Sequence, residues 1–478
     1  MRSPPTTTNT SINTTKNLTF EEDAAISCLL VAYAKPGNTA VDRCKLSPIF
    51  IIGRSAGADF VLNDSRVSKH HARITEATDG FWIADLGSTN GTFVNGYRLT
   101  DEKRLLSNDV IRIGSTLLVY CENSDALLEP FPLDRLNITG DFHAGPIVRE
   151  LTAAARSNLH ILITGPSGAG KELVATGLSS LLLKSSPNAP FIVHNAARFT
   201  SDEEATTTLF GVGVKVFSNV AARTGLIERA AGGVLFLDEV HNLPDQVQRT
   251  LLRIIEDGKF SRIGDSKEKR VALRFVLATN VPPPTFGLAH DLLARLRILR
   301  IPPLKERVAD IPSIFDVVMK KALQTQNIDY AIVKEALRTD HYETLCLDGF
   351  ENENVRGMIV LADKVATFIA TGMSPKKAVA KVFIERFQDG PVVRRAKENT
   401  PLSELAGADR DEAQSQLSAF SHYELHKAAI IEVFKQARGN VAATARILNE
   451  KGIKCSRRWL DIYLDKWEVR RRRYRHNA

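Results

Sequence analysis

Gly165-Pro-Ser-Gly-Ala-Gly-Lys-Glu172 is the segment whose residue types constrain chemistry most narrowly. It follows the apolar run His160-Ile-Leu-Ile-Thr164 and precedes a helical stretch, so backbone N–H groups and a helix N-terminus face an anion there. Its glycines let backbone approach phosphate, and Lys171 reaches the terminal phosphates of a nucleotide. The strict form of such a loop ends in Lys-Ser/Thr, whose hydroxyl meets magnesium, whereas Glu172 stands here. A second chemical feature is Asp238-Glu239, which closes the run Val234-Leu-Phe-Leu. Two carboxylates at the end of a buried apolar strand are costly unless a cation or water chemistry uses them. The third is charge. From Ser421 to Ala478, fourteen Lys/Arg face six Asp/Glu, an excess equal to the whole chain's +8, so the rest is neutral. A basic tail on a neutral body is the footprint of a phosphate-backbone binder, or else a solvated charge run.

Several elements must position these groups. At 478 residues the chain is too long for one core and suggests about three domains. Hydrophobic content of 44% and charged content of 25% are ordinary for soluble globular protein. No run approaches a membrane span, and Met1-Arg-Ser-Pro-Pro lacks an apolar signal core. Cys28, Cys44, Cys121, Cys346 and Cys455 are scattered without a C-x-x-C pair. That spacing disfavours structural zinc and a disulfide framework and fits a reducing cytoplasm. Residues 1–24 are Thr/Asn/Ser-rich and read as a disordered arm. Residues 25–122 hold short alternating runs punctuated by Asn90-Gly91 and Asn95-Gly96, a hairpin-rich β pattern. Residues 133–305 alternate buried-strand runs with helical stretches, an α/β signature, and 306–387 read as helical. Residues 388–420 read as a polar linker and 421–478 as a helical domain.

The order Ile52-Gly53-Arg54, Ser68-Lys69-His70-His71, then Ser88-Thr-Asn-Gly91 resembles the forkhead-associated (FHA) family. The resemblance implies an all-β sandwich of eleven strands that reads phosphothreonine through loops at one end. Arg54 and Ser68 match the family's phosphate contacts, Lys69 adds charge, and Asn90, with Thr89 beside it, matches the grip on the ligand backbone. A phosphate dianion needs this set of guanidinium, hydroxyl and N–H donors. His71 matches a structural histidine. The ligand would be a phosphothreonine-containing protein, or the Thr-rich arm once phosphorylated.

Gly-x-Ser-Gly-x-Gly-Lys-Glu is similar to the loop of sigma-54-dependent activators, bacterial enhancer-binding proteins of the AAA+ class. The resemblance runs from about residue 143 to 370 and implies an α/β ATPase domain with a helical lid. Gly165, Ser167, Gly168, Ala169, Gly170, Lys171 and Glu172 would hold ATP, and Asp238 would hold Mg2+ through water. Glu239 would polarise the attacking water, with Asn195 holding that glutamate in check, Asn280 as sensor I and Arg356 as sensor II. Two departures stand out. Leu288-Ala-His-Asp-Leu-Leu-Ala-Arg-Leu296 keeps Arg295 of the pair that reaches a neighbour's phosphate, but Ala289 replaces the other. Where the family carries Gly-Ala-Phe-Thr-Gly-Ala to contact sigma-54, this chain has Lys215-Val-Phe-Ser-Asn-Val220, keeping Phe217 and the near match Ser218.

Glu424 to Trp467 resembles the Fis-type helix-turn-helix that ends such activators, which implies an all-α tail on double-stranded DNA. Gly439 to Leu448 carry the match, and a second helix follows from about Arg457 to Trp467. Ser456 would cap it, leaving Arg457, Arg458 and Asp461 outward for DNA. The expectation is a cytoplasmic bacterial regulator, assembled as a homo-oligomeric ring, that couples phosphothreonine recognition to ATP hydrolysis and control of sigma-54 RNA polymerase. The alternative is a DNA-bound regulator that uses ATP to set its assembly and does not remodel sigma-54. Loss of both glycines and gain of the β-branched Val216 and Val220 stiffen the loop and favour that alternative.

Overall fold

The computed structural model describes residues 26–122, 125–128, 136, 138–213, 222–265, 267–284, 286–387, 430, 433–434, 436–437 and 441–450. The chain divides into two units, Met1–Arg394 and Arg395–Ala478.

Eleven short strands between Cys28 and Cys121 make two facing sheets. One has the order Arg43–Lys45, Cys28–Tyr33, Thr116–Cys121, Val110–Ile113, Thr92–Val94, Tyr97–Arg98. The other has the order Phe60–Val61, Ile49–Gly53, Ala72–Ala77, Gly80–Asp85, Lys103–Arg104. The two-residue period of a strand sorts side chains between faces. Leu29, Leu118 and Tyr120 enter the cluster between the sheets, while Cys28, Leu30, Leu117, Val119 and Cys121 point outward. That outer face is not wet. All six residues of Thr116–Cys121 are buried, because the outer face packs on helices beyond residue 304. Leu30 and Val119 share one core with Phe315, Tyr342 and Val365. Tyr33 stacks on Tyr342 with ring centroids 4.2 Å apart, and the Arg112 Nε donates to Glu343 Oε2 at 2.8 Å in a buried ion pair. The sequence pattern suggests short alternating runs here; the continuous apolar run of this strand reflects the covering helices.

The second layer system is a five-stranded parallel sheet, ordered Phe191–Asn195, Val234–Asp238, Arg274–Thr279, His160–Thr164, Leu296–Arg300. Leu235, Leu237 and Leu277 face one apolar cluster with Val247 and Leu251 of helix Asp245–Asp257. Ile161, Ile163, Phe236 and Val276 face another with Ile147, Val174 and Leu178 of helices Ala144–Arg156 and Lys171–Leu182. Burial on both faces explains why these strands read as unbroken apolar runs. Five helices follow: Ile311–Thr325, Tyr330–Ala336, Thr339–Asp348, Val355–Ala370 and Pro375–Arg386. They form a lid over the sheet's C-terminal edge and also the floor beneath the β-sandwich.

In the C-terminal unit the described helix is Val441–Glu450, which contains most of the stretch that carried the helix-turn-helix resemblance. The second helix expected there, with Ser456, Arg457, Arg458 and Asp461, lies outside the described residues, as do the arm 1–24 and the loop containing Phe217 and Ser218. No helix among the described residues is long and apolar enough to cross a membrane.

Candidate functional site

The glycine-rich loop sits between the C-terminal end of strand His160–Thr164 and the helix that Lys171 opens. Gly165, Gly168 and Gly170 all have positive φ, with Gly170 as the N-cap, so the loop coils tightly into the N-terminus of the helix, and Ala169 N donates to Pro166 O within it. Lys171 is buried, and its Nζ donates to Gly165 O at 2.9 Å and Pro166 O at 3.2 Å. Burial lowers the pKa of that ammonium, against the opposing pull of Glu239 and Asp238. Ala169 is buried within the loop, and Glu172 is exposed in the helix's first turn, where a negative charge suits the dipole.

The lid clasps this loop directly. Arg356 Nη1 donates to Ser167 Oγ at 2.7 Å. Asn354, 1% exposed and at φ 51°, donates from Nδ2 to Ser167 O at 3.0 Å and accepts from Leu304 N. Val355 N donates to Gly168 O, and Arg307 Nη2 donates to Ala169 O at 2.9 Å. A Cβ at Gly168 would meet Glu353 O at 2.4 Å, so only glycine allows the lid this close. Asn354 and Arg307 were not singled out from sequence. The one signal was an asparagine directly before an apolar helical run, a residue type that tolerates positive φ. Beside the loop, Ile138, Gly170, Leu173, Ile301, Val317 and Ile359 line a mainly apolar cavity of about 1370 Å³.

Asp238 and Glu239 lie at the end of their strand, Glu239 in the left-handed region at φ 52°. Held there by the following turn, Glu239 carries backbone strain of a kind found at functional sites. Asn280 Nδ2 stands 3.4 Å from Glu239 Oε1, and His241 Nδ1 3.5 Å from Oε2, an atom buried without a hydrogen-bond partner. Asn195, expected to hold Glu239 in check, stands beside the neighbouring carboxylate. The parallel register sets Asn195 against Asp238, so its Nδ2 lies 3.4 Å from Asp238 Oδ2, and its Oδ1 caps Ala197 N. The amide facing Glu239 is that of Asn280, with His241 as the partner that sequence reading missed. Arg295 is half exposed, away from the cradle, and bonds Glu256 at 2.9 Å.

At the sandwich's loop end, Arg54 is exposed and braced by Nε donation to Val67 O. Gly53 is required by close approach, since a Cβ there would fall 2.1 Å from Lys69 O. Ser68 N donates to His71 Nδ1, and the opposite ring nitrogen of His71 meets Gly91 O at 3.2 Å. Burial lowers the His71 pKa, so the neutral ring ties two loops together. Thr89 N donates to Ser68 Oγ, and Asn90 Nδ2 donates to Arg66 O at 2.7 Å. Lys69 is exposed alongside. The five expected residues are therefore brought together, with Arg66 added.

Beneath them Asp64, 7% exposed, accepts from Arg66 N and from both the N and Oγ of Ser115. Burial alone would raise its carboxyl, but the Ser115 and Arg66 bonds outweigh it and hold the pKa at about 2. A folded-state pKa below the unfolded value means stabilisation present above pH ~4 and lost as pH falls through the folded pKa. Comparing denaturation of wild type and Asp64→Asn between pH 5 and pH 2 should show wild type losing about 2 kcal/mol more. Parallel profiles would show that the carboxylate contributes nothing.

Residues 141–302 match the Sigma-54 interaction domain and residues 50–114 the FHA domain, so the chain carries the second ahead of the first. It is 35% identical over 184 residues to the transcriptional regulatory protein XylR of Pseudomonas putida, covering 37% of this chain and 32% of that protein. It is 31% identical over 268 residues to the DNA-binding transcriptional regulator NtrC of Rhizobium meliloti, covering 54% and 53%. The chain spans about a third to a half of the length of the curated relatives it matches. A crystal structure of NtrX from Brucella abortus in complex with ADP is similar over 70% of each chain, at 24% identity and a TM-score of 0.46.

Proposed function

We propose that the protein is a DNA-bound transcription regulator of the sigma-54-activator type, in which phosphothreonine recognition by the FHA domain governs an ATP-hydrolysing ring acting on RNA polymerase. The observation that carries this is the convergence of Lys171, Asp238, Glu239 and Arg356 on one coiled glycine loop at the ends of parallel strands. Ligands of open parallel sheets bind at such strand ends.

The residues present fit a nucleoside triphosphate. The loop leads into a helix N-terminus, nothing lies within 4 Å of a Cβ at Gly170, and Glu239 Oε2 is a buried acceptor without a hydrogen-bond partner. ATP supplies the transferable phosphoryl group. The loop amides and Lys171 hold its phosphates, exchanging the carbonyls of Gly165 and Pro166 for stronger charge-assisted bonds. Asp238 would hold Mg2+, which would offset the charge of the phosphates, while Glu172 supplies no hydroxyl to it. Glu239 orients and deprotonates water, kept in place by Asn280 and His241. Arg356 bridges lid and phosphates, and the apolar cavity beside Leu173 takes the base. Arg295, exposed and outside its own cradle, suits action on a neighbouring subunit's nucleotide. The basic tail binds duplex DNA, with Arg457, Arg458 and Asp461 reading bases.

A second reading has its own observation. Lys215 and Asn219 replace both glycines of the sigma-54-contacting loop, so the chain would use ATP to set assembly without remodelling sigma-54. Promoter melting by sigma-54 polymerase with ATP and the full chain separates the two. ATP-dependent open complexes that vanish on Phe217→Ala are expected for remodelling. ATP turnover with no open complex under any condition overturns it and leaves the second reading.

A further inference from the structure

A line of contacts runs from the phosphothreonine loops to the nucleotide loop through the lid. Asn90 Nδ2 donates to Arg66 O at 2.7 Å, and Arg66 N donates to Asp64 Oδ1 at 3.0 Å. Ser115 N donates to Asp64 Oδ2 at 2.8 Å, and the Ser115 hydroxyl binds the same oxygen. Thr339 Oγ1 then donates to Ser115 O at 3.1 Å, crossing from sandwich to lid. Asp64, Ser115 and Thr339 are each no more than 7% exposed, so water does not compete for these bonds. Thr339 opens the helix Thr339–Asp348, whose Glu343 binds Arg112 one turn later. That helix ends at Gly349, and the next turn delivers Asn354 onto Ser167 O, Val355 N onto Gly168 O and Arg356 onto Ser167 Oγ. One helix thus touches the sandwich at its start and leads into the nucleotide loop at its end.

We infer that Thr339, through Ser115 and Asp64, is a positioning residue that couples phosphothreonine binding at Asn90 to nucleotide binding at Ser167, so that each ligand alters the other's affinity. The inference rests on the phosphothreonine and nucleotide readings above. Its physical basis is that Asn90 cannot regrip without disturbing Arg66, whose amide and carbonyl are both engaged in the same chain. Packed interfaces shift between discrete arrangements rather than deform continuously, which lets a small displacement at Asn90 bias the lid. Coupling between two binding sites is reciprocal by thermodynamic necessity.

The test uses the full chain, with ADP titrated by calorimetry in the presence and absence of a degenerate pool of phosphothreonine peptides. The unphosphorylated pool is the control. The expected result is a change in ADP affinity of about 5-fold or more with the phosphorylated pool only. Thr339→Val keeps the shape and removes the donor to Ser115 O. It should reduce the change to under about 2-fold while each ligand alone binds as in wild type, and Thr339→Ser should restore it. Arg54→Ala should abolish peptide binding and the change together. Failure of wild type to bind the phosphorylated pool, or to bind ADP, overturns the site readings and the inference with them. Binding of both ligands without a change in affinity overturns the coupling alone. A change that survives Thr339→Val, or that Thr339→Ser does not restore, overturns the assigned route.

Discussion

Lys171→Ala is expected to abolish ATP binding, whereas Glu239→Ala keeps nucleotide bound and lowers turnover by about 10²–10⁴-fold. The two residues differ in what surrounds them. Lys171 is buried inside the loop and bonded to its carbonyls, so its removal takes away the ammonium that those carbonyls hold and leaves them without a charged partner. Glu239 lies across from the loop at the end of a different strand, in contact with Asn280 and His241 rather than with the glycines. Its truncation removes the water's base and leaves the cradle intact. Nucleotide affinity and steady-state phosphate release on the two variants check this pair. Equal loss of nucleotide in both would mean that Glu239 shapes the loop instead of serving the water. If Arg295 serves a neighbouring subunit's nucleotide, as proposed, turnover of wild type should rise more than linearly with protein concentration.

The second large effect is on stability. Arg112→Ala is expected to cost about 3–5 kcal/mol, because it strips the Glu343 carboxylate, 1% exposed, of its guanidinium partner. Arg112 also lies over the Phe93 ring at 3.7 Å, so truncation removes packing together with charge. The paired replacement Arg112→Met with Glu343→Leu should recover most of the loss, since an apolar pair of similar volume needs no desolvation of charge. Chemical denaturation of the three full-length variants measures both. A double variant no more stable than Arg112→Ala would show that the cost came from shape and not from an isolated buried charge.

How much of this was legible depends on distance along the chain. The glycine loop and Asp238-Glu239 announce themselves because their chemistry is written in consecutive residues with a strand on one side. The phosphothreonine loops are legible for the same reason: glycines, Ser68 and Asn90 occupy turns whose conformation is local. The lid's grip was half legible. Arg356 drew attention, but Asn354 did not, because its partners Ser167 and Leu304 are 187 and 50 residues away and nothing in its neighbourhood demands them. The contact of Asn195 with Asp238 was not legible, because strand register, fixed by packing of the whole sheet, decides which oxygen it meets. The docking of sandwich on lid had one overlooked sign. Thr116-Leu-Leu-Val-Tyr-Cys121 does not alternate, and an antiparallel strand that does not alternate has both faces covered.

That strand also limits how the chain can be taken apart. FHA domains are compact enough to suggest a detachable cassette, yet here Leu30, Leu117, Val119 and Cys121 belong to the same core as Phe315 and Tyr342. Cutting between the two would expose a contiguous apolar sheet face on one fragment and a matching helical face on the other, both prone to self-association. The recognition module is therefore not portable. It could not have been added to this α/β domain as a finished part, nor exchanged for another module, without rewriting the helices beneath it. Insertions and deletions should be tolerated at its phosphothreonine loops and refused at its floor.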